Sequence, residues 1–461
     1  MTGSSLLRST LSIRLVVRRL GVCSIAMALA CHTALTSVPQ KAESSRKPNI
    51  IFILADDLGY GDLGCYGQKR IRTSNIDRMA GEGVRFTQCY AGSTVCAPSR
   101  ASLMTGLHQG HAHIRGNNPR LPLRAADLTV AEILRSEGYR TGIVGKWGLG
   151  EPDTVGIPNR RGFDYFFGYL NQTHAHNYYP DHLWRNRERV SVASGTYSHD
   201  LFTDEALAFI RRERAHPFFL YLAYTIPHAN SGLRERGMQV PDDAPYSNEP
   251  WPQPEKNKAA MITRLDGDIG RLFALLSELG IDEDTLVFLS SDNGPHMEGG
   301  VNPDFHRSSG QLRGIKRDLY EGGIRVPMIV RWPGKIKGGL VSRHVWALWD
   351  VLPTLAAIAG KAAPRRIDGV SVLPALLGKK QRTHHYLYWE FHERGFAQAL
   401  RMGRWKIVRS NSNKPIELYD LENDERETRD LSALHRNRVR RMERLMANVR
   451  TESEVWPVKR N

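Results

Sequence analysis

Residues 49–54 (NIIFIL) are apolar from the second position on, and Asp56 and Asp57 follow almost at once. A strand open to water on one face would alternate, so this short unbroken run reads as a parallel strand buried on both faces. Helical patterns follow at 75–82 (NIDRMAGE) and at 128–137, the second closed by Gly138. Further strand-like runs are YRTGIVG, PFFLYLAYT, DTLVFLSSDNG and VPMIVRWP, and between the second and third of them a long periodic helix spans about 258–279. Strands alternating with helices predict an α/β fold: a large mixed, mostly parallel sheet sandwiched between helices. From about residue 383 the texture changes. HHYLYWEF, QALRMGRWKIVRS and IELYDLENDERETRDLS are short and β-like, and Leu431, Leu434, Met442, Leu445, Met446 and Val449 then fall near helical spacing. This predicts a small C-terminal antiparallel sheet closed by a helix, with residues 47–380 as the main domain and 381–461 as the smaller one.

The first 46 residues stand apart. Residues 1–20 carry four arginines and no acid, and LGVCSIAMALAC then supplies a short apolar stretch ending in Ala28-Leu29-Ala30. A basic start, an apolar middle and small residues at a cleavage site predict a secretory signal over 1–30, too short in its apolar part for a membrane span. Residues 31–46 read as a polar linker. Cleavage after Ala30 would expose Cys31, so membrane attachment is expected only if that cysteine is lipidated.

Composition narrows the function. With 461 residues, 41% of them apolar, the chain can bury a large core. Its formal charge of +16 becomes +12 without the four arginines of the signal (16 − 4), a balance that attracts anions in general. No nucleic-acid module is visible and most arginines are scattered, so a nucleic-acid partner is not expected. Of the five cysteines, Cys23 and Cys31 lie in or beside the signal. Cys65 and Cys89 leave a bridge open in an oxidising compartment, and Cys96 is the one over.

Ligands of such sheets bind at the carboxyl ends of the strands. Three chemically loaded clusters fall there: Asp56-Asp57, Lys146 just after TGIVG, and Asp292-Asn293 after TLVFLSS. Either acidic pair alone is commonly a turn with a helix cap. Two such pairs at two strand ends point to a hard cation with oxygen ligands, because carboxylates brought together repel unless a cation or proton lies between them. The stretch TVCAPSRASLMTG adds Cys96 where Pro98 suits the first turn of a helix, with Arg100 four residues on. Helix-start N–H groups and a guanidinium suit an oxyanion. A thiolate nucleophile would want a histidine base, and none is near in sequence.

These residues carry a family resemblance. CAPSR followed by SLMTG resembles the signature of the type I sulfatases, of the alkaline phosphatase superfamily, whose cysteine is oxidised by a maturation enzyme to formylglycine, an aldehyde. The other motifs fall in the family's order. IIFILADDLGYGDLGCYG is similar to the first metal strand, GIVGKWGLG to the lysine segment, YTIPHAN to a histidine segment and FLSSDNGP to the second metal strand. LRGIKRDLYEGGIRVPMIVRWPG is similar to the segment of a second lysine, and the match runs from about residue 47 to 431. The resemblance implies that Asp56, Asp57, Asp292 and Asn293, with modified residue 96, bind one calcium ion. It implies that Arg100, Lys146 and Lys316 grip the sulfate and that His228 protonates the leaving alcohol. A hydrated aldehyde has two geminal hydroxyls: one attacks sulfur and expels the alcohol, and loss of the other's proton then releases sulfate. The implied substrate is a sulfated sugar, of galactose or N-acetylgalactosamine type by similarity to bacterial polysaccharide sulfatases.

One position departs from the family. Its lysine is usually followed two residues later by histidine, whereas Lys146-Trp147 is followed by Gly148. FFGYLNQTHAHNYYPDHLW offers His174 or His176 as a replacement imidazole or as a sugar ligand. Two rival functions follow: a phosphodiesterase or phosphonate hydrolase of the same superfamily, and an inactive relic that only binds sulfated glycans.

Overall fold

Alternate residues of the first strand face different helical layers: Ile50, Phe52 and Leu54 pack into one apolar core, Ile51, Ile53 and Ala55 into a second. The unbroken apolar run is therefore required, because neither face of the strand meets water. The structure is a computed structural model that describes residues 47–458. The expected signal 1–30, Cys31 and the linker 31–46 lie outside the described residues.

Eleven strands of the described residues form one sheet. In chain order they are β1 (Asn49–Ala55), β2 (Val84–Tyr90), β3 (Arg140–Lys146), β4 (Tyr165–Tyr169), β5 (His182–Arg185), β6 (Glu188–Ser191), β7 (Phe218–Ala223), β8 (Thr285–Ser291), β9 (Arg325–Arg331), β10 (Leu340–Ser342) and β11 (Trp346–Ala347). Their order across the sheet is β10-β2-β9-β8-β1-β7-β3-β4-β5-β6, with β11 also on β2. The centre is parallel: β1 pairs with β7 (Ile50 opposite Phe219) and with β8 (Ile50 opposite Leu286), and β3 pairs with β7 and β4. Strand β9 runs antiparallel between β8 and β2, and the β4–β5–β6 edge is antiparallel. The ends of β1, β3 and β8 consequently deliver Asp56, Lys146 and Asp292 to one edge of adjacent or nearly adjacent strands.

Helices cover both faces. Helices α1 (Ser74–Glu82), α4 (Ser198–Glu213) and α5 (Gln253–Glu278) pack on the Ile51 side, α2 (Cys96–Thr105) and α3 (Val130–Ser136) on the Ile50 side. The short α6 (Glu321–Ile324) leads into β9, and α7 (Val351–Ile358) and α8 (Leu373–Leu376) complete the second layer. No helix among the described residues is long and apolar enough to cross a membrane.

A four-stranded antiparallel sheet follows, β12 (Leu387–Phe391), β13 (Ala397–Met402), β14 (Trp405–Arg409) and β15 (Glu417–Asp420), closed by α9 (Arg436–Asn448). Period-2 alternation again sorts its side chains. Leu387, Trp389 and Phe391 pack against Tyr90, Val95 and Trp349 of the main domain, while Tyr388, Leu400 and Ile407 meet Met442 and Met446 of α9. The terminal helix starts later than its apolar spacing predicts. Leu431 precedes it and packs on the small sheet, and Leu434 is 68% exposed. Cys65, Cys89 and Cys96 are all free thiols, so the bridge left open between the first two is not formed.

Candidate active site

Two adjacent residues on a strand point to opposite faces, yet Asp56 and Asp57 both turn into one site. The backbone makes this possible: Asp57 adopts φ +64, a left-handed conformation that costs a non-glycine residue about 1–2 kcal/mol. Its N–H donates to Asp292 Oδ1 at 3.1 Å, which links the end of β1 to the end of β8. Asn293 Nδ2 then donates to Asp57 Oδ1 at 2.6 Å, while Asn293 Oδ1 is buried without a hydrogen-bond partner. Three buried carboxylates and one unpartnered amide oxygen therefore meet where two parallel strands end.

Cations surround this cluster. Lys146 Nζ donates to Asp56 Oδ2 at 2.6 Å and Lys316 Nζ to Asp57 Oδ2 at 2.8 Å. Arg100 Nε and Nη2 both donate to Asp292 Oδ2, at 3.0 and 2.8 Å, and Nη1 donates to the Lys146 carbonyl at 3.0 Å. Burial alone would raise Asp56, but Lys146, with Arg100 and Lys316, holds its carboxyl well below the usual range. Burial and the Asp56 carboxylate push Asp292 the other way, up to about 7. Three carboxylates against three fixed cations leave the cluster near neutrality but crowded with negative oxygens, which is the donor set a hard divalent cation completes. The cluster fits calcium on these grounds.

Cys96 is the first residue of α2, fully buried, and its Sγ donates to Asp56 Oδ1 at 3.4 Å. Ligating atoms of Asp56, Asp57, Cys96 and His228 all lie within 4.8 Å of one another. Burial and Asp56 push the thiol well above its ordinary range, which keeps it protonated and makes it a poor nucleophile as it stands. The position suits a modified side chain better than a reactive thiolate.

His228 is held from both sides. Its Nδ1 donates to the Ala229 carbonyl at 2.5 Å and its Nε2 accepts from Lys316 Nζ at 2.9 Å. Burial and the nearby Lys316 ammonium hold the imidazole well below its ordinary range, so it is neutral and the proton rests on Lys316. Burial works against the Lys316 ammonium, but Asp57, together with Asp56 and Glu298, outweighs it and keeps that ammonium charged.

A cavity of about 140 Å³ opens onto this cluster, lined by Cys96, Lys316, His228, His176, Gln172 and Arg317 among others. The structure separates the sequence candidates accordingly. His176 stands on the cavity wall, its ring stacked on His228 at 4.1 Å, with Nε2 buried and unpartnered. His174 does not reach the cavity. It stacks on His182 at 4.4 Å and meets Tyr169 edge-on, two residues away on the same short turn (His174–His176). Arg100 and Lys146 do not line the cavity either, and lie behind it bracing Asp292 and Asp56. The sequence reading missed Asn117, Asn118, Ser231 and Glu298 on the rim, which come from loops without periodic signal. It also missed Gln172, although that residue lies in the quoted histidine-rich stretch. Gly148 shares the wall and has φ +72, and a Cβ there would fall 2.2 Å from Gln172 Oε1.

This α/β sandwich, with acidic pairs at neighbouring strand ends and a cysteine at a helix start, is that of a sulfatase. The family described as "Sulfatase" matches residues 48–361, and the C-terminal family of N-sulphoglucosamine sulphohydrolase matches 315–452. Arylsulfatase G of Mus musculus is 33% identical over 412 residues, covering 78% of this chain and 75% of the relative. N-acetylgalactosamine-6-O-sulfatase of Bacteroides thetaiotaomicron is 28% identical over 524 residues, covering 93% and 97%. The crystal structure of Ps i-CgsB in complex with k-i-k-neocarrahexaose superposes with a TM-score of 0.79 at 30% identity, over 90% of this chain and 95% of that one. The chain belongs to the sulfatase family and is a sulfuric ester hydrolase.

Proposed function

We propose that this enzyme removes sulfate from a sulfated carbohydrate, with residue 96 matured to formylglycine and one calcium ion held by Asp56, Asp57, Asp292 and Asn293. The observation that carries the reading is the convergence of Cys96 with three buried carboxylates and an unpartnered Asn293 oxygen from two parallel strand ends. The hydrated aldehyde supplies the nucleophilic hydroxyl and a second hydroxyl whose deprotonation releases sulfate. A calcium ion held by Asp56, Asp57, Asp292 and Asn293 would supply positive charge beside residue 96 and the sulfate oxygens.

The chain's own residues do the rest. Lys316, on the cavity wall and fully protonated, faces the ester and offsets charge on the departing oxygen. Its hydrogen bond to His228 Nε2 makes the two a relay that delivers a proton to the leaving alcohol. Arg100 and Lys146 hold Asp292 and Asp56 in place for the ion. His176 replaces the imidazole absent at Gly148 as a neutral ligand on the sugar side of the cavity. Relatives named for N-acetylgalactosamine 6-sulfate and a neocarrahexaose complex support a galactose- or N-acetylgalactosamine-type sugar. The N-terminal arginines and apolar stretch support export.

Peptide mass spectrometry across Cys96, on protein made with a formylglycine-generating maturation enzyme, is expected to find the aldehyde in place of the thiol. Such protein is expected to release sulfate from a panel of galactose and N-acetylgalactosamine 4- and 6-sulfates and sulfated galactan oligosaccharides. Faster turnover of a phosphate diester, or an unmodified thiol without turnover, would favour the rival readings.

A further inference from the structure

Gln172 is buried to 8% exposure on the wall of the cavity that Cys96 and Lys316 open onto. Its Oε1 is buried and has no hydrogen-bond partner. Leaving a buried amide oxygen unpaired costs about 1–3 kcal/mol, and on a cavity wall that cost is recovered when a water or a ligand supplies the missing donor.

The segment that presents this amide is pinned on both sides. Trp147 and Gly148 donate their N–H groups to the Tyr169 and Leu170 carbonyls at 2.9 and 3.1 Å. Next to it, Asn171 Nδ2 donates to Glu151 at 2.7 Å and Asn171 Oδ1 accepts the His174 N–H at 2.8 Å. The backbone that carries Gln172 is thus held in place before any ligand arrives. Gly148 is part of the arrangement, since any Cβ at that position would fall 2.2 Å from Oε1 and drive the side chain away.

We infer that the Gln172 amide reads an uncharged hydroxyl of the sugar beside the sulfate ester, which makes Gln172 and its enabling Gly148 specificity-determining positions. The inference rests on the proposed reading of the cavity as a sulfated-sugar site. The charge pattern favours a hydroxyl over the sulfate. Lys316 and the ion site serve the anion, whereas Gln172 offers one acceptor and two donors without charge, which matches a group that both donates and accepts. His176, neutral and with Nε2 free beside it, has the same character.

The test uses matured full-length enzyme and two probes: the panel sugar sulfate that turns over fastest, and inorganic sulfate as a competitive inhibitor that has no sugar hydroxyl. Gln172→Leu keeps the volume and removes the polar atoms, so folding is expected to be retained, with a Tm no lower than that of the parent. It is expected to lower kcat/KM on the sugar sulfate about 10- to 100-fold and to leave the inhibition constant of inorganic sulfate within about twofold. Gly148→Ala is expected to reproduce the loss, and the double variant to be no worse than the poorer single one. A parallel rise in the sulfate inhibition constant, or an unchanged kcat/KM for Gln172→Leu, would overturn the inference while leaving the sulfatase reading intact. Absence of turnover on the whole panel by the parent enzyme would instead overturn the sugar reading itself, and the inference with it.

Discussion

Position 96 shows how burial decides the chemistry of a single side chain. A thiol fully enclosed and set against Asp56 is pushed well above its ordinary range by burial and by that carboxylate, which disfavours the thiolate. Cys96→Ala is expected to abolish sulfate release, by at least about 10³-fold, because the attacking group itself is lost. The neighbouring carboxylates belong to the same account. Chelation is expected to stop turnover and lower the Tm, with calcium restoring both, since an ion at 100 times its Kd stabilises the folded state by about 2.7 kcal/mol. Asn293→Ala is expected to shrink that calcium-dependent Tm shift. Arg100→Ala removes the bidentate partner of Asp292 from a dry interior and is expected to destabilise by about 3–5 kcal/mol in denaturant titration.

Among the elements, the continuous apolar strands were the most legible, because burial on both faces leaves a mark that needs no knowledge of neighbours. β1, β3, β7, β8 and β9 fall within a residue or two of where the apolar runs predict them. Strand β2 (VRFTQCY) alternates weakly and helix α4 mixes charge into its apolar face, so each is recognisable only against the layer it packs on. Strand β12 shows how an element acquires stability from distant parts of the chain. Burial would raise the Glu390 carboxyl, but the hydrogen bond from His392 and the guanidiniums of Arg115 and Arg450 hold it down at about 2. A depressed carboxyl contributes stability above its unfolded value of 4.5 and loses it as the pH falls towards 2. Glu390→Gln is therefore expected to cost about 3 kcal/mol at pH 7, and melting curves should show the difference closing over that acid window.

Across the whole molecule, the two sheets are joined by a buried ionic cluster as well as by apolar contact. Lys406 Nζ, on β14 of the small sheet, lies 2.9 Å from Glu321 on α6 of the main domain and 2.9 Å from Glu427. Burial works against Lys406, but the two glutamates hold it charged. Lys406→Met leaves the buried Glu427 carboxylate without its cation and Glu321 with Arg325 as its remaining ion-pair partner, and the denaturation midpoint is expected to fall by the equivalent of about 3–5 kcal/mol. The basic balance of the chain acts at the same range. kcat/KM on a multiply sulfated oligosaccharide is expected to fall more steeply with ionic strength than on a monosulfated sugar, because screening weakens long-range attraction most.

The chain order alone carried the strand-and-helix alternation, the small terminal sheet and the pairs of acidic residues at strand ends, since each is written in consecutive residues whose burial leaves a local pattern. Folding was needed to bring positions 56, 96, 292 and 316 into one cluster, because their meeting depends on parallel strands far apart in the chain ending at the same edge. Folding also chose His176 over His174 and placed Gln172 against Gly148. Where a side chain points from a short turn is set by what packs around it, and no periodicity in the residues themselves records that direction.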